Sequence, residues 1–466
     1  MAEQQKNQTI NQQTGTQERE LAAGRSFSQN IAELQQLKFG GYKLLETTIE
    51  GADSLNPERR AKREIFLKES DRRRDREALL KRLELWKEML STEGSVAELA
   101  EQTQQKLEAT EELHKQNVKD VLDASRELEA TYRGVALYFA NANQSGFKVR
   151  NIVFVNAGLS QLDPANVYNN ETIEFVKNEI HQVYNRFDLQ ESYSLLIIPG
   201  YLGKKTVVDA WAKIASDHKL MLITDYRNMG GLKDTIKEFQ REKLSQDVPR
   251  FANVMMTVNH LVGRGKYDEY GEEEDLYIEP STALAGKIHQ NLISQVSAGL
   301  QFGALEEVDG VRMNLLKTEV GELEGLGLIP MTKEFARIIP FSGKTLFAGN
   351  NVGLKTYSVV RVFDWLMKVM MNFLNKRAME NWSGKVEKQL TDEIVSFLDR
   401  IKGPGKIIDK FDPPKFRQDP IQPDRIIVDL NITPFFPAKT FIINLTGEKG
   451  RNEDTGRRND FKAEVR

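Results

Sequence analysis

The spacing of apolar and polar positions changes several times along the chain. Up to about residue 29, Gln, Asn, Thr and Glu prevail and large apolar side chains are scarce, a composition that cannot offset its own ordering entropy. Residues 1–50 therefore read as a mobile arm. Its apolar portion, with Leu37, Phe39, Tyr42, Leu44 and Ile49, suits a linker strand that needs a partner surface. A charged helical region follows over residues 51–145. Asn56 is its candidate N-cap, and Pro57 takes the first helical position, where a missing N–H costs nothing. Leu79, Leu83, Trp86 and Leu90 recur at three and four residues and predict a docking stripe, with Gly94 closing the helix. Ser95 and Glu98 form a capping-box pattern for the next helix. Its expected buried face holds Val118, Val121, Leu122, Leu128, Tyr132 and Val135.

Beyond Gly146 the pattern becomes short apolar runs: Ile152–Val155, Leu195–Ile198, Leu220–Ile223 and Val254–Met256. Runs with so little alternation suit strands covered on both faces. Between the second and third runs lies a helix with Val207, Val208, Trp211 and Ile214 inward and Thr206 as its expected cap. Strand, helix, strand in that order makes residues 146–403 an α/β middle domain with a mixed sheet. Two helices close it, one through Val359, Phe363, Leu366, Met370 and Phe373, the other through Val386, Leu390, Ile394, Phe397 and Ile401. Gly403-Pro404-Gly405 stops the second.

Pro413, Pro414, Pro420 and Pro423 mark the start of 404–446 as an extended linker, the expected domain boundary. A strand pair follows: Ile426, Val428, Leu430 and Ile432 at period two, then Phe441, Ile443 and Leu445. Residues 447–466 read as a polar tail that frays. The fold class is α/β, α+β overall, with a helical N-terminal region and a C-terminal strand pair.

Composition removes several chemistries. With no cysteine there is no disulfide, thiol nucleophile or zinc-thiolate site. A net charge of -3 sets up no global field for nucleic acid or anionic lipid. Arg59, Arg60, Arg72, Arg73 and Arg74 are interleaved with Glu58, Glu64, Glu69, Asp71 and Asp75, a pattern of surface ion pairs. No apolar run reaches membrane-spanning length, and the N-terminus lacks a signal-peptide core, so a cytoplasmic protein is expected.

Three stretches look like phosphate loops. Ser342-Gly343-Lys344-Thr345 ends as a P-loop does, yet Ile338 stands where that motif needs glycine. Gly349 to Thr356 is misspaced by Leu354. Gly200-Tyr-Leu-Gly203-Lys204-Lys205 offers amides at a helix start, but a tight βα turn explains the same glycines. A nucleotide-binding enzyme using the Gly200 or Gly343 turn stands as an alternative. The five histidines form no His-x-x-x-His pair and no Gly-x-Ser-x-Gly elbow occurs, so the chain reads as a non-enzyme without cofactor or metal.

Leu128-Glu129-Ala130-Thr131-Tyr132-Arg133-Gly134-Val135 resembles the Leu-Glu, Trp-Arg-Gly-Leu segment of the large sheath subunits of bacterial type VI secretion systems, the TssC/VipB family. Glu279-Pro280-Ser281-Thr282-Ala283-Leu284-Ala285 stands where that family tends to have Gly-Asn-Pro-Ala-Tyr-Ala. The block from Thr318 through Glu319, Gly327 and Ile329 to Pro330 is similar to the family's Glu-Leu-Ala-Glu-Leu-Gly-Phe-Ile-Pro-Leu stretch. The resemblance runs from about Glu98 to Thr446. Tyr132 in place of tryptophan, and Ile278-Glu279 in place of Trp-Gly, mark a divergent branch.

The resemblance implies a structural protein that pairs with a small sheath subunit and stacks with its own copies in a helical sheath. The sheath surrounds an inner tube protein, stands on a membrane-anchored baseplate and is recycled by a separate AAA+ unfoldase. It also implies that Ile426, Val428, Leu430, Ile432, Phe441, Ile443 and Leu445 join strands from neighbouring protomers. The sheath of a phage-tail-like contractile injection system is the nearest alternative.

Overall fold

The computed structural model describes residues 66–91, 95–143, 149, 151–163, 170–439, 441–447 and 459–465. The arm residues Leu37, Phe39, Tyr42, Leu44 and Ile49, and the expected helix start at Asn56, lie outside them. The chain forms two compact units, Met1–Val121 and Leu122–Arg466.

In the first unit, helix α1 covers Arg73–Ser91. Side chains three and four apart meet on its surface, and Arg72–Asp75 at 3.2 Å and Arg73–Glu77 at 3.0 Å are such pairs. The stripe expected to dock is instead exposed at Leu79, Leu83 and Trp86. Helix α2, Val96–Ala142, opens on the expected capping box. The Ser95 amide donates to Glu98 Oε2 at 3.0 Å, and the Glu98 amide to Ser95 Oγ at 3.3 Å.

The second unit holds helices α3 (Asn170–Tyr184), α4 (Lys205–Asp217), α5 (Leu232–Glu242), α6 (Pro280–Gln290), α7 (Gly299–Gly303), α8 (Lys317–Gly325), α9 (Tyr357–Asn375) and α10 (Gly384–Ile401). Its first strands are β1 (Leu195–Ile198), β2 (Met221–Asp225), β3 (Val254–Val258), β4 (Leu261–Arg264), β5 (Leu276–Ile278), β6 (Gly310–Val311), β7 (Leu328–Glu334) and β8 (Arg337–Pro340). A five-stranded sheet runs β1-β2-β3-β7-β8, parallel except for the β7–β8 pair. Successive residues of β2 feed opposite core layers: Leu222 packs with Val207, Val208 and Trp211 of α4, while Met221 and Ile223 join Leu137, Leu284 and Ile329. That is the two-faced burial which continuous apolar runs require. A second, three-stranded sheet, β5-β4-β6, lies beside it in sequence.

Several expectations need correcting. Ile152–Val155 forms no strand, and Val153 and Phe154 are 54% and 62% exposed; an apolar run becomes a strand only where a ladder partner takes its amides and carbonyls. Thr206 is not the cap of α4, because extended Lys204 precedes a helix that begins at Lys205. Much of the α2 face expected inside is turned out: Leu128 and Tyr132 are each 74% exposed and Val121 and Val135 are also exposed, while Val118 and Leu122 are half-buried and Gly134, Leu137, Tyr138 and Asn141 are buried.

The C-terminal region also differs. Four strands, β9 (Ile408–Phe411), β10 (Lys415–Gln418), β11 (Ile426–Asp429) and β12 (Ile432–Pro434), nest as β9–β12 around β10–β11. Ile408, with Phe411, Phe416, Leu430 and Ile432, packs against Val362 and Leu366 of α9 and Ile394 and Leu398 of α10. The stretch expected to be an extended linker therefore carries strands that pack on a small core, with Pro414 buried and Pro413, Pro420 and Pro423 exposed between them. Strand β13 (Phe441–Gly447) pairs with β14 (Asn459–Val465), so Ile426–Ile432 and Phe441–Leu445 are not each other's partners. The tail expected to fray contains β14. Alternation marks a strand without naming what it pairs with.

Candidate assembly interface

The Leu128–Val135 segment has two faces. Inward, Glu129 meets Arg264 of β4, with Nε to Oε1 at 3.0 Å and Nη2 to Oε2 at 3.0 Å. Arg264 also grips Glu272, Nη1 to Oε2 at 2.6 Å, and Arg126 reaches the same carboxylate at 2.6 Å. Arg133 donates to Glu129 Oε1 at 2.9 Å and to the Gly263 carbonyl at 3.1 Å. Burial acts to raise the Glu129 carboxyl, but hydrogen bonds from Arg264 and Arg133 outweigh it and hold it below the usual carboxylate range. Hydrogen bonding by Arg264 lowers Glu272 likewise. The Arg264 guanidinium lies 4.4 Å from the centre of the Tyr267 ring. Charge thus fastens the part of α2 after Val121 within the second unit, while the exposed apolar residues of the same turns, Leu128, Tyr132 and Val135, are left to solvent.

Gly134 is buried but not tightly packed, since a Cβ there would sit 3.7 Å from Thr282. The close approach falls one helix over, at Gly286 of α6, where a Cβ would collide with the carbonyl oxygen of Tyr138. Sequence reading had no signal for this beyond a glycine inside an apolar helix.

The second motif block serves the core. Glu319 Oε2 accepts from the Leu316 amide at 2.7 Å and caps α8. Gly327, at φ +89 and with a would-be Cβ 2.9 Å from the Thr345 carbonyl, makes the turn into β7. Ile329 is fully buried, and Pro330 sits opposite Val258 where β3 and β7 part. Ile329 and Pro330 belong to the buried sheet, while Glu319 and Gly327 are half-buried at its approach.

Asp225, at the end of β2, was not foreseen. Oδ2 accepts from the Gly200 amide at 2.8 Å and from Ser281 Oγ at 2.6 Å, while Oδ1 accepts from the Ser281 amide at 2.8 Å and from Thr257 Oγ1. One buried carboxylate ties the ends of β1, β2 and β3 to the start of α6. It also uses the Gly200 amide that an anion would need. At the Gly343 turn, the Lys344 amide donates to Ser342 Oγ at 3.1 Å and Thr345 Oγ1 to the Leu354 carbonyl at 2.7 Å, and no helix begins there. Neither turn forms a phosphate cradle. The fold brings His181 and His218 to 3.3 Å, which their sequence spacing conceals. Among the described residues no group of three or more His, Asp or Glu is placed to hold a metal ion, and no helix is long and apolar enough to cross a membrane.

Family comparison accounts for nearly the whole chain. Residues 120–348 match the type VI secretion system TssC/VipB central domain, residues 356–463 the TssC/VipB-like C-terminal domain and residues 28–118 the TssC/VipB-like N-terminal region. No curated protein matches the chain by sequence. Among solved structures, a chain of the anti-feeding prophage baseplate aligns with TM-score 0.47 and 14% identity, covering 68% of this chain and 80% of that one. The anti-feeding prophage helical sheath in its contracted state gives 0.47 and 15%, covering 68% and 81%. A sheath tail protein from Desulfitobacterium hafniense gives 0.38 and 10%, covering 57% and 60%.

Three family domains in order define a structural component of a contractile sheath. The chain belongs to the TssC/VipB family of type VI secretion systems.

Proposed function

We propose that the chain is the large subunit of a type VI contractile sheath, paired with a small sheath subunit and stacked with its own copies in helical rings around an inner tube. Built on a baseplate in the cytoplasm, the sheath shortens as subunits rotate and pack closer, and so drives the tube outward. This chain hydrolyses nothing in that cycle; a separate AAA+ unfoldase recycles the contracted sheath.

The observation that carries the reading is the split of the Leu128–Val135 segment. Its charged residues are spent on the chain's own sheet, leaving Leu128, Tyr132 and Val135 as an apolar patch in water. Single exposed apolar residues are ordinary, but several at helical spacing fit a partner's side chains. We assign that patch to the small subunit. The C-terminal strands supply the second joint. A two-stranded sheet has open edges on both sides, and strand addition from a neighbour completes it. Phe441, Ile443 and Leu445 on β13 are the proposed joint, and the arm residues Leu37, Phe39, Tyr42, Leu44 and Ile49 the proposed strand that a neighbouring copy contributes. Ile426 and Val428 on β11, Leu430 after it and Ile432 on β12 support that joint from the nested strands beside it.

Electron microscopy of the chain expressed with and without the product of the adjacent gene tests the reading. Tubes are expected only in the co-expressed sample. Regular tubes from the chain alone would remove the small-subunit requirement, and none in either sample would remove the sheath.

A further inference from the structure

A cavity of about 370 Å³ lies against one face of α9, lined by Leu189, Lys219, Arg361, Asp364, Trp365 and Lys368 among others. Residues 361, 364, 365 and 368 are three and four apart and so share that face. Cations outnumber carboxylates in its lining. Asp364 Oδ2 is engaged by Asn253 Nδ2 at 2.6 Å. Lys368 Nζ uses one of its three hydrogens on the Tyr193 carbonyl, at 2.6 Å. Arg361 is only 9% exposed, and its Nη1 finds no hydrogen-bond partner among the described residues. Lys219 contributes a third cation from the turn after α4, where its backbone adopts φ 56.

Burial of this charge has the expected consequences. It pushes Arg361 down to about 10 and Lys368 down to about 8, and it raises Asp364. A buried guanidinium nitrogen without an acceptor is costly, and three cations set against one carboxylate leave an excess of positive charge. An oxyanion supplies both the missing lone pairs and the missing charge.

We infer that this cavity binds a small oxyanion of the phosphate class through Arg361, Lys368 and Lys219. Asp364 selects within that class. Monohydrogen phosphate carries an O–H that donates to a carboxylate, whereas sulfate carries none and meets Asp364 only by repulsion. Bound there, the ligand braces α9 against the segment leading into β1. The inference is independent of the sheath reading, because every group it uses belongs to this chain.

The test titrates inorganic phosphate into the full chain, with chloride at matched ionic strength and with sulfate as comparisons, reading the thermal midpoint and binding calorimetry. A saturable rise in midpoint with phosphate is expected, with a smaller one for sulfate. Lys219→Met, at a half-buried position, is expected to weaken phosphate by about tenfold, the loss of one charge-assisted contact. Arg361→Gln is expected to abolish binding. Identical melts in phosphate and chloride, or Lys219→Met titrating as the unmodified chain does, overturn the site. Equal midpoint shifts in sulfate and phosphate overturn the phosphate-class assignment.

Discussion

Arg264 on β4 and Glu129 on α2, 135 residues apart in sequence, are joined by two near-parallel hydrogen bonds of 3.0 Å. The same guanidinium holds Glu272, whose side chain is 3% exposed. Removing Arg264 leaves the buried Glu272 carboxylate to Arg126 and the Tyr267 amide and takes two hydrogen bonds from Glu129, and Arg264→Met is expected to cost about 1–3 kcal/mol. The acid dependence follows from the two lowered carboxylates. Folded values below the unfolded ones mean that the network's contribution is complete above about pH 4.3 and is lost as pH falls through the folded values. Urea midpoints should stay flat from pH 7 to about pH 5 and then fall, and Arg264→Met should show a shallower fall. A variant with an unchanged acid slope would assign that loss of stability to other groups.

Helix α6 lies against α2 at Gly286. A Cβ there meets the Tyr138 carbonyl, and the Asn141 Cβ at 3.0 Å, so Gly286→Ala is expected to destabilise by about 1–3 kcal/mol. Gly134→Ala adds a methyl 3.7 Å from Thr282 in ordinary contact and gains helix propensity, so its effect should stay within about 1 kcal/mol of neutral. Thermal melts of the two variants should separate them. Equal loss in both would show that Gly134 is packed as closely as Gly286.

Asp225 answers four donors from three segments. Asp225→Ala leaves buried amides and hydroxyls unpaired at about 1–3 kcal/mol each, and a loss of at least about 3 kcal/mol is expected. Hydrogen exchange at Gly200 and Ser281 should accelerate together in this variant. Independent behaviour at the two amides would show that the carboxylate does not couple them.

What could be read from the sequence divides along physical lines. The runs 195–198, 220–223 and 254–256 were legible because a strand buried on both faces has no polar face to alternate with. The Ser95–Glu98 capping box was legible because both partners lie within one turn. The inward face of α2 was not. Arg126, Glu129 and Arg133 look like solvent residues until Arg264 and Glu272 arrive from far along the chain. The Asp225 site was hidden for the same reason, its donors coming from residues 200, 257 and 281. Strand β14 did leave a trace, since Phe461, Ala463 and Val465 alternate with Asp460, Lys462 and Glu464, but charged neighbours gave it the composition of a tail.

The outward residues of α2 separate folding from assembly. Leu128 and Tyr132 are 74% exposed, so Leu128→Glu combined with Tyr132→Asp should leave the melt of the isolated chain within about 0.5 kcal/mol. Co-expression with the small subunit should then give no heterodimer on size exclusion. Normal heterodimers from the double variant would move the partner site elsewhere.

The nested β9–β12 layer alters where the chain can be cut to test its strand joint. Removing residues 426–445 would take away β11 and β12, uncovering Ile408, Leu366 and Ile394 and damaging the core beside α9 and α10. Ending the chain after Lys439 instead removes β13 and β14 together, and these strands pair with each other. The truncated chain should keep its cooperative melt and, if it pairs with the small subunit through α2, still form heterodimers. Without β13 and β14, the sheet proposed to accept a neighbour's strand, those heterodimers should not polymerise. Electron micrographs of the co-expressed, truncated sample should therefore show dispersed particles, and ordered tubes there would dismiss β13 as the joint between copies.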